Sequence, residues 1–366
     1  MSAGRTILIV GASGRAAAAS ALRAGLQPFV IDLFADEDTT RMCPVLKCPL
    51  EDYPHGFIAL AEQAPPGPWM HTGGLENYPE IIAAISGSRE LRGNGSEVLS
   101  KVRDPFALAK ILPMPAMRRG GEKLDPAKRW LQKPFRCSGG FGIAELPLSA
   151  SERGPGGEVY VQELVQGLPC SAVYLFCNTA RPELIGVCSQ LIGAPWLNAP
   201  PYRYCGNIGP LVGDSALTIQ LARIGETLQP SGLRGLVGVD FMRLNDGILA
   251  LEVNPRYTAS VELYERASGR SLLLEHIRSF ETSPPSPLSQ AGMGDEKIHG
   301  KAILYADHTF EVPVDHPWRG PTFADIPCVG SVIPEGDPVV TLFASADTES
   351  ECRERLQDLA RKSAPP

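Results

Sequence analysis

The feature that most constrains the fold is a pair of apolar segments, GVDFMRL and ILALEVNPR, joined by Asn245-Asp246-Gly247. Such a turn between two apolar runs predicts a β-hairpin. If the turn pairs Leu244 with Ile248, the same register pairs Asp240 with Glu252. The sequence therefore predicts two carboxylates on facing strands of one hairpin.

The face of the hairpin that carries Glu252 also carries Asn254, because side chains on a strand alternate with a period of two. Two facing carboxylates repel each other, and burial makes this repulsion stronger. A hard divalent cation with oxygen ligands relieves it, and Mg²⁺ bound to substrate phosphates is the usual case. The hairpin thus predicts Asp240, Glu252 and Asn254 as metal ligands. The alternative is that the acids lie on different faces or pair with Arg243 and Arg256.

A glycine-rich loop follows another predicted strand, in LQKPFRCSGGFGI. Lys133 lies at the end of that strand, and the loop contains Ser138, Gly139 and Gly140. Backbone N–H groups of such a loop bind phosphate oxygens, and a lysine on the strand adds a point charge. The segment predicts a phosphate site. The alternative is a hairpin with a glycine-rich turn and a solvated Lys133.

The first 98 residues predict an α/β unit with a parallel sheet, because strand and helix patterns alternate. The turn GASGRAAAA, with Asp32 at the end of the second strand, resembles a dinucleotide site. One alternative is a tight turn without a nucleotide, with Asp32 at the surface. Another is a helix N-terminus that contacts an anionic acceptor substrate.

The remaining patterns predict further strands and helices. Helices are expected at residues 100–115 and 215–230, over ELYERASGRSLLLEHIRSF, and at 346–361. Strands are expected over RWLQKPF, EVYVQELV, SAVYLFC and within 297–345. We therefore expect an α/β protein divided into a first sheet domain (1–98), a small subdomain with the glycine loop (99–165), a metal-binding subdomain (166–280), a linker (281–296) and a strand-rich C-terminal segment (297–366).

Charge and composition limit the class of partner. The chain has 34 Lys and Arg against 41 Asp and Glu, so its formal net charge is −7. No excess of cations is available for DNA or for acidic membranes, and no apolar run approaches about 18 residues. The nine cysteines form no CxxC pair, which is typical of reduced thiols in a cytoplasmic protein. We expect neither nucleic acid nor a membrane as a partner.

Taken together, these segments resemble the ATP-grasp superfamily of ligases. Lys133 with its glycine loop, VYVQELVQG, GVDF and LEVNPR follow that family's order and spacing over residues 100–280. The first 98 residues resemble the sheet domain that precedes the ATP-grasp fold. The chain is also similar to bacterial ATP-grasp proteins of one-carbon coenzyme gene clusters, and more distantly to an archaeal tyramine–glutamate ligase.

The resemblance implies how ATP and metal would bind. Lys133 would contact the α and β phosphates under a loop of residues 138–142, which includes Ser138, Gly139 and Gly140. The segment that reads the adenine edge, largely through its main chain, would be Gln162, Glu163, Leu164 and Val165. The ligands of two Mg²⁺ ions, with Mn²⁺ as an alternative, would be Asp240, Glu252 and Asn254.

The resemblance also implies the catalytic residues. Arg256 would stabilise the transferred phosphoryl group and would act together with Lys133. Glu262 would be a further contact on the same loop. The chain departs from the family pattern in two places. Pro105 stands where many members have an ATP-contacting lysine, for which Arg103 would substitute, and GLPCS lacks the usual ribose-binding acid.

The implied chemistry is activation of a carboxylate by ATP, followed by attack of an amine on the acyl-phosphate. Both substrates would be small molecules, and the similarity suggests precursors of a methanofuran- or tetrahydromethanopterin-type coenzyme. A homodimer is the commonest symmetric assembly. Three segments are candidates for acceptor binding, and they contain His71, Glu76 and Asn77; Gln190, Arg203, Tyr204 and Asn207; and Tyr257 with Thr258.

Three other functions would each account for part of these features. A carboxylase-type enzyme would share the ATP site but would need a bicarbonate pocket. A non-catalytic nucleotide sensor would explain the two departures, although it would not need a full phosphoryl-transfer set. An oxidoreductase would depend on the first glycine turn alone.

Overall fold

The structure is a computed structural model that describes residues 6–147, 158–178, 181–211, 215–281 and 297–364. The strands are β1 (Thr6–Val10), β2 (Gln27–Asp32), β3 (Val45–Lys47), β4 (Trp69–His71), β5 (Met117–Arg119), β6 (Trp130–Pro134), β7 (Ala144–Glu145), β8 (Val159–Glu163), β9 (Leu168–Phe176), β10 (Glu183–Ile192), β11 (Tyr204–Gly209), β12 (Gly235–Arg243), β13 (Ile248–Asn254), β14 (Ile298–Tyr305), β15 (Phe310–Glu311), β16 (Phe323–Ala324), β17 (Val332–Ile333) and β18 (Pro338–Ala346). The helices are α1 (Arg15–Arg23), α2 (Glu37–Met42), α3 (Gly56–Gln63), α4 (Pro79–Ser86), α5 (Ser96–Val102), α6 (Pro105–Leu108), α7 (Ser215–Leu228), α8 (Val261–Ser268), α9 (Leu272–Arg278) and α10 (Glu349–Lys362).

The first sheet is parallel, with the strand order β3-β2-β1-β4. Its central strand β1 is apolar throughout, and Ile7 to Val10 are buried. Continuous burial is expected when helices cover both faces of a parallel sheet. The sheet therefore has the α/β architecture that the first 98 residues predict.

The large sheet has eight strands in the order β13-β12-β9-β10-β11-β14-β18-β16, and its neighbours are antiparallel. On β9, Ala172 and Tyr174 pack in the core that contains α7, whereas Val173 and Leu175 pack with α1 and β1. This alternation places the first domain on one face of the sheet and α7 on the other. The C-terminal strands β14 and β18 continue the same sheet through the pairing of β11 with β14.

A smaller antiparallel sheet has the order β5-β8-β6-β7. Its core is small, with Leu124, Trp130 and Val161 buried. Strand β6 carries Lys133, and β8 carries Gln162 and Glu163. The sheet thus brings the predicted phosphate lysine and the predicted adenine segment side by side.

Two of the predicted helices are interrupted. Residues 100–115 contain the end of α5 and the short α6, because Asp104 caps a new helix by accepting a hydrogen bond from the Phe106 N–H at 2.9 Å. The helix predicted after residue 260 is split into α8 and α9 at Gly269, which has a positive φ of 67°. The new helix α9 begins at Ser271, whose hydroxyl accepts from the Leu274 N–H. In both places a capping side chain restarts the helix.

None of the helices within the described ranges is long and apolar enough to span a bilayer. The predicted linker, residues 281–296, lies outside the described residues apart from Glu281.

Candidate active site

One cleft of about 710 Å³ lies between the first sheet, the small sheet and the large sheet. It is lined by all the residues that the sequence predicts for ATP, metal and catalysis, namely Arg103, Lys133, Ser138, Gly139, Gly140, Gln162, Glu163, Leu164, Val165, Asp240, Glu252, Asn254 and Arg256. The fold therefore brings together residues that are up to about 150 positions apart in the chain, as a shared binding site at strand ends requires.

The hairpin of β12 and β13, predicted to bind metal, has the predicted pairing of the two acids but not the predicted pairing at its turn. Asp240 pairs with Glu252, as expected. However, Ile248 pairs with Arg243 and not with Leu244, so the turn register is wrong by one residue. A register shift between Asp240 and Phe241 inserts one extra residue in β13 and restores the predicted pairing.

The Asn254 side chain bridges the two carboxylates. Its Nδ2 donates to Asp240 Oδ2 at 3.0 Å and to Glu252 Oε1 at 3.1 Å, while Gln190 Nε2 donates to Asp240 Oδ1 at 3.0 Å. Burial and the neighbouring Glu252 raise the pKa of Asp240. Although burial opposes ionisation of Glu252, Arg103 and Lys133 outweigh it and lower the Glu252 pKa.

This donor set fits a hard cation. The Asn254 amide occupies the position between two carboxylate oxygens where a cation would satisfy both. To present its oxygen to the cation, the amide would have to turn over and give up the hydrogen bond that Oδ1 accepts from Arg103. Within the described ranges, no group of three His, Cys, Asp or Glu side chains is placed to hold a metal ion. Two carboxylates and one amide leave coordination positions for phosphate oxygens, as Mg²⁺ sites in phosphoryl-transfer enzymes commonly do.

Arg103 lies against this hairpin. Its Nη1 donates to Asn254 Oδ1 at 3.2 Å and approaches Glu252 Oε2 at 3.4 Å, and its Nη2 donates to Asn77 Oδ1 at 2.7 Å. Burial lowers the pKa of Arg103, but Glu252 and Glu76 outweigh burial and raise the pKa above its usual value, so the guanidinium stays charged. Arg103 therefore places a positive charge in the cleft, close to Pro105, whose side chain has no charge.

Lys133 and Gln162 face the cleft from adjacent strands. Lys133 Nζ donates to Gln162 Oε1 at 3.1 Å. Burial lowers the pKa of Lys133, but Tyr160 and Glu252 raise it above its usual value. Among the described atoms, Gln162 Nε2 is buried without a hydrogen-bond partner. Since a buried donor without a partner is costly, this amide is a candidate contact for a ligand.

The segment predicted to bind adenine, residues 162–165, is held by main-chain hydrogen bonds. The Glu163 N–H donates to the Ala116 carbonyl and the Leu164 N–H to the Arg129 carbonyl, both at 2.8 Å. The Glu163 side chain pairs with Lys128. In the part of the chain that is described, the Val165 N–H has no backbone partner and lies at the cleft, which favours Val165 as the main-chain donor of this segment.

The glycine loop is docked on the segment around Tyr202. Gly140 has a φ of 80°, and a Cβ atom there would lie 2.1 Å from the Tyr202 carbonyl oxygen. The Tyr204 N–H donates to the Gly139 carbonyl at 3.1 Å, and Arg203 stacks on Phe141 at 3.2 Å from the ring centroid. Only glycine allows this close backbone approach.

Arg256 is held by the first domain. Its Nε donates to Glu76 Oε1 at 2.7 Å, and its Nη2 lies 3.4 Å from Asn254 Oδ1. Glu76 is 1% exposed, and its Oε2 has no partner among the described atoms. The predicted acceptor segment that contains Glu76 and Asn77 thus contacts both site arginines. His71 lies behind it, with Nε2 3.2 Å from the Asn94 carbonyl, and burial lowers the His71 pKa.

The other acceptor candidates are divided between the cleft and its surroundings. Gln190, Tyr204, Asn207, Tyr257 and Thr258 line the cleft, whereas Arg203 does not. Asp32 has a structural role, because it is buried and its carboxylate accepts from the N–H groups of Gly14, Phe34 and Ala35. The tight-turn interpretation of the first glycine segment is therefore favoured, although Asp32 is not at the surface.

A buried ionic network near the cleft was not predicted. Glu262 does not line the cleft, and its carboxylate instead binds Arg15 and, at 2.8 Å, Lys301. Arg15 also donates to Asp325 at 3.0 and 3.1 Å. The sequence offers one signal for this network, since Lys301 interrupts the apolar run of β14 and is only 5% exposed.

Comparisons with known proteins agree with this architecture. Residues 100–260 match the family described as ATP-grasp domain. An uncharacterized protein of Methanocaldococcus jannaschii is 23% identical over 281 residues, which cover 73% of this chain and 67% of that protein. The ATP-grasp resemblance is thereby confirmed.

Two solved structures have the same fold over almost the whole chain. Biotin carboxylase of Campylobacter jejuni, in a complex with β,γ-ATP, gives a TM-score of 0.75 at 13% identity and covers 98% of this chain and 91% of that one. L-amino acid ligase of Bacillus licheniformis gives 0.71 at 13% identity over 99% and 98% of the two chains. The predicted α/β fold class is confirmed.

Proposed function

We propose that the protein, whose residues 100–260 match the ATP-grasp domain family, is an ATP-dependent carboxylate–amine ligase that acts through an acyl-phosphate. The observation that carries the proposal is the convergence of three cations and a paired-carboxylate hairpin in one cleft. Lys133, Arg103 and Arg256 would offset the charge of ATP and a carboxylate. A protein that only binds a nucleotide has no need of Arg256 held in place by a buried acid.

The reaction has two steps. A carboxylate oxygen of the acid attacks the γ-phosphorus of ATP, and the bond to ADP breaks. The ammonium group then loses a proton, and the free amine nitrogen attacks the acyl carbon and loses a second proton. Phosphate leaves with the electrons of the C–O bond and takes up one of these two protons. Overall, RCOO⁻, R′NH₃⁺ and ATP give an amide, ADP, phosphate and one proton. Such chemistry depends mainly on placing two anions in line and neutralising their charge.

Each cleft residue would have a defined part. Lys133 would contact the α and β phosphates, and Arg256 would stabilise the transferred phosphoryl group. Glu163, Leu164 and Val165 would hold the adenine, and the glycine loop would exclude water from the intermediate. Mg²⁺ bound by Asp240, Glu252 and Asn254 would neutralise phosphate charge, and Mn²⁺ would substitute for it.

The substrates are small molecules in this proposal. The L-amino acid ligase has the same fold, which supports amide formation as one outcome of this architecture. On the sequence resemblance alone, we propose that the acid and the amine are coenzyme precursors.

The test is ADP release from Mg²⁺-ATP with a panel of small acids and amines. Glu252→Gln should lower the rate about a hundredfold or more, because it removes a negative charge from the proposed Mg²⁺ ligands and so weakens binding of the cation that would neutralise the phosphates. Glu97→Gln is the matched control, since Glu97 is exposed and its partner among the described residues is the exposed Lys101, at 2.8 Å. ADP that requires both an acid and an amine supports the ligase.

Other outcomes would contradict the proposal. ADP release that requires bicarbonate alone would indicate carboxylase-type chemistry. Tight ATP binding without ADP release from any combination would favour a nucleotide sensor. Absence of ATP binding would show that the two departures from the family pattern abolish the site.

A further inference from the structure

A second polar region of the cleft lies outside the residues assigned to ATP. It is formed by Asp36, at the start of α2, and Asp325, just after β16. The two loops are joined, because the Glu37 N–H donates to the Ile326 carbonyl at 2.8 Å and Asp38 accepts from the N–H groups of Asp325 and Ile326 at 3.0 Å. This side of the cleft is therefore a built wall that the C-terminal segment helps to form.

Three of the four carboxylates in this wall have partners. Asp32 accepts three backbone hydrogen bonds, and Asp38 accepts two. Asp325 accepts from Arg15 and from the Thr341 hydroxyl. By contrast, no hydrogen bond or ion pair joins the Asp36 carboxylate to any residue within the described ranges, and the α2 cap position uses only its backbone. Asp36 is 8% exposed and lines the cleft.

The nearby cations compensate this carboxylate only in part, because the pKa of Asp36 stays raised although Arg15 lowers it. Arg15 is committed to Asp325 and Glu262, and Lys301 is committed to Glu262. Lys47 also lines the cleft but makes no ion pair in the part of the chain that is described. Burial, Asp325 and Asp32 raise the pKa of Asp36, which is the expected effect of a buried carboxylate in acidic surroundings. A buried carboxylate without a partner is costly, and a cation from outside would relieve that cost.

We propose that Asp36, supported by Asp325, is the subsite that binds the ammonium group of the amine substrate. The inference rests on the proposed ligase function. It adds where the second substrate, the amine, binds, and that this substrate binds as a cation. Lys133, Arg103 and Arg256 lie where the anions ATP and acid would bind, and Asp36 lies where a cation would bind. An ammonium group offers up to three hydrogen-bond donors to such a wall.

The first experiment measures binding without turnover. Ligand-observed NMR titrations compare n-butylamine with its uncharged counterpart 1-butanol at pH 7.5 and constant ionic strength, in the absence of ATP. The unaltered protein should bind n-butylamine about tenfold more tightly than 1-butanol, as expected for a hydrogen bond to a charged group. Asp36→Asn should abolish this preference. No preference in the unaltered protein, or a preference that persists in Asp36→Asn, overturns the proposal.

The variants have built-in controls. Glu37→Gln changes the adjacent carboxylate, which does not line the cleft, by the same charge, and it should keep the preference. Asparagine and serine are both good helix-capping residues, so Asp36→Asn and Asp36→Ser should fold, with melting temperatures no lower than that of Glu37→Gln. If the charge of the Asp36 carboxylate causes the preference for n-butylamine, Asp36→Asn and Asp36→Ser should both lose it.

The second experiment uses turnover and separates this proposal from the ligase proposal. With an acid that supports ADP release, hydroxylamine is an uncharged nucleophile at pH 7.5, whereas n-butylamine is a cation. Asp36→Asn should lower kcat/KM for n-butylamine about tenfold and leave that for hydroxylamine unchanged. Equal losses for the two nucleophiles would overturn the subsite. If no acid supports ADP release in the unaltered protein, the ligase proposal fails, and the binding experiment still decides the subsite.

Discussion

Arg256 Nε and Glu76 Oε1 are 2.7 Å apart, although the two residues are 180 positions apart in the chain. The contact joins the loop after the metal hairpin to the first domain. A guanidinium that forms a hydrogen bond with a buried carboxylate is fixed in orientation. The first domain therefore sets the position of the arginine proposed to act on the transferred phosphoryl group.

Glu76→Gln should reduce kcat with little change in KM for ATP. The variant weakens a charge-assisted hydrogen bond worth about 1.5–3 kcal/mol, which corresponds to a fall of roughly ten- to a hundredfold. Steady-state ADP release measures both constants. Glu80→Gln, which removes an exposed partner of Arg136, should leave both unchanged. A rise in KM for ATP at constant kcat would show that Glu76 acts on nucleotide binding instead.

Gly140→Ala should weaken ATP binding. The added methyl group would lie 2.1 Å from the Tyr202 carbonyl, so the glycine loop could not dock. Gly121→Ala is the control, because Gly121 has a similar φ of 84° with no atom within 4 Å of the added Cβ. Both variants should lose about 1–2 kcal/mol of stability from the left-handed backbone, but only Gly140→Ala should raise the Kd for ATP. Equal Kd values would refute a docked role for the loop.

Arg15→Met should strongly destabilise the protein. Arg15 is 4% exposed and is bonded to both Glu262 and Asp325, so its removal leaves buried carboxylates with fewer partners. The expected loss in the free energy of unfolding is about 3–5 kcal/mol, measured by urea denaturation. Arg41→Met removes an exposed pair with Glu37 and should cost less than about 1 kcal/mol. A similar small loss for both variants would show that the network contributes little.

Stability should fall on acidification because of His276. The ring is 2% exposed, Nδ1 accepts from the Leu236 N–H at 2.9 Å, and Nε2 lies 2.9 Å from the Arg92 carbonyl. Burial lowers the His276 pKa from 6.5 to about 4. The unfolded chain therefore binds more protons between these values, and this stability is present above pH 6.5 and lost as the pH falls.

The measurement is the free energy of unfolding at pH 7 and at pH 5. Between these values His276 should account for a loss of about 2 kcal/mol. His276→Asn should be less stable at pH 7, because it removes one buried hydrogen bond or more, but its pH dependence should be flatter than that of the unaltered protein by this amount. Parallel pH profiles for the two proteins would show that His276 does not titrate differently on folding.

The sequence predicts the hairpin pair correctly for a partly wrong reason. The assumed turn leads to the observed pairing of Asp240 with Glu252 only because two differences in strand register cancel each other. The turn moves the register by one residue, and an extra residue in β13 moves it back. Periodicity reveals which residues share a face, but it does not reveal a bulge, since a bulge depends on how neighbouring strands pack.

Local chemistry explains which other elements could be predicted. Strong periodic patterns mark strand β1, helix α7 and strand β8. The bounds predicted from the sequence for these elements are close to the observed ones. The breaks before α6 and α9 each depend on one capping side chain within a helical pattern. The network of Arg15, Glu262, Lys301 and Asp325 could not be predicted, because its members are far apart in the chain and no spacing rule connects them. The same holds for Asp36, whose importance comes from the lack of a described partner.

The sheet that spans the molecule also has a consequence for the synthesis of the chain. Arg15 leaves the ribosome 310 residues before its partner Asp325. Until β14 is made, β11 presents an open strand edge, which is prone to pairing with other chains. The nascent protein therefore has its proposed ATP residues before it has the wall that closes the cleft, and this wall cannot form until β14 to β18 have been translated.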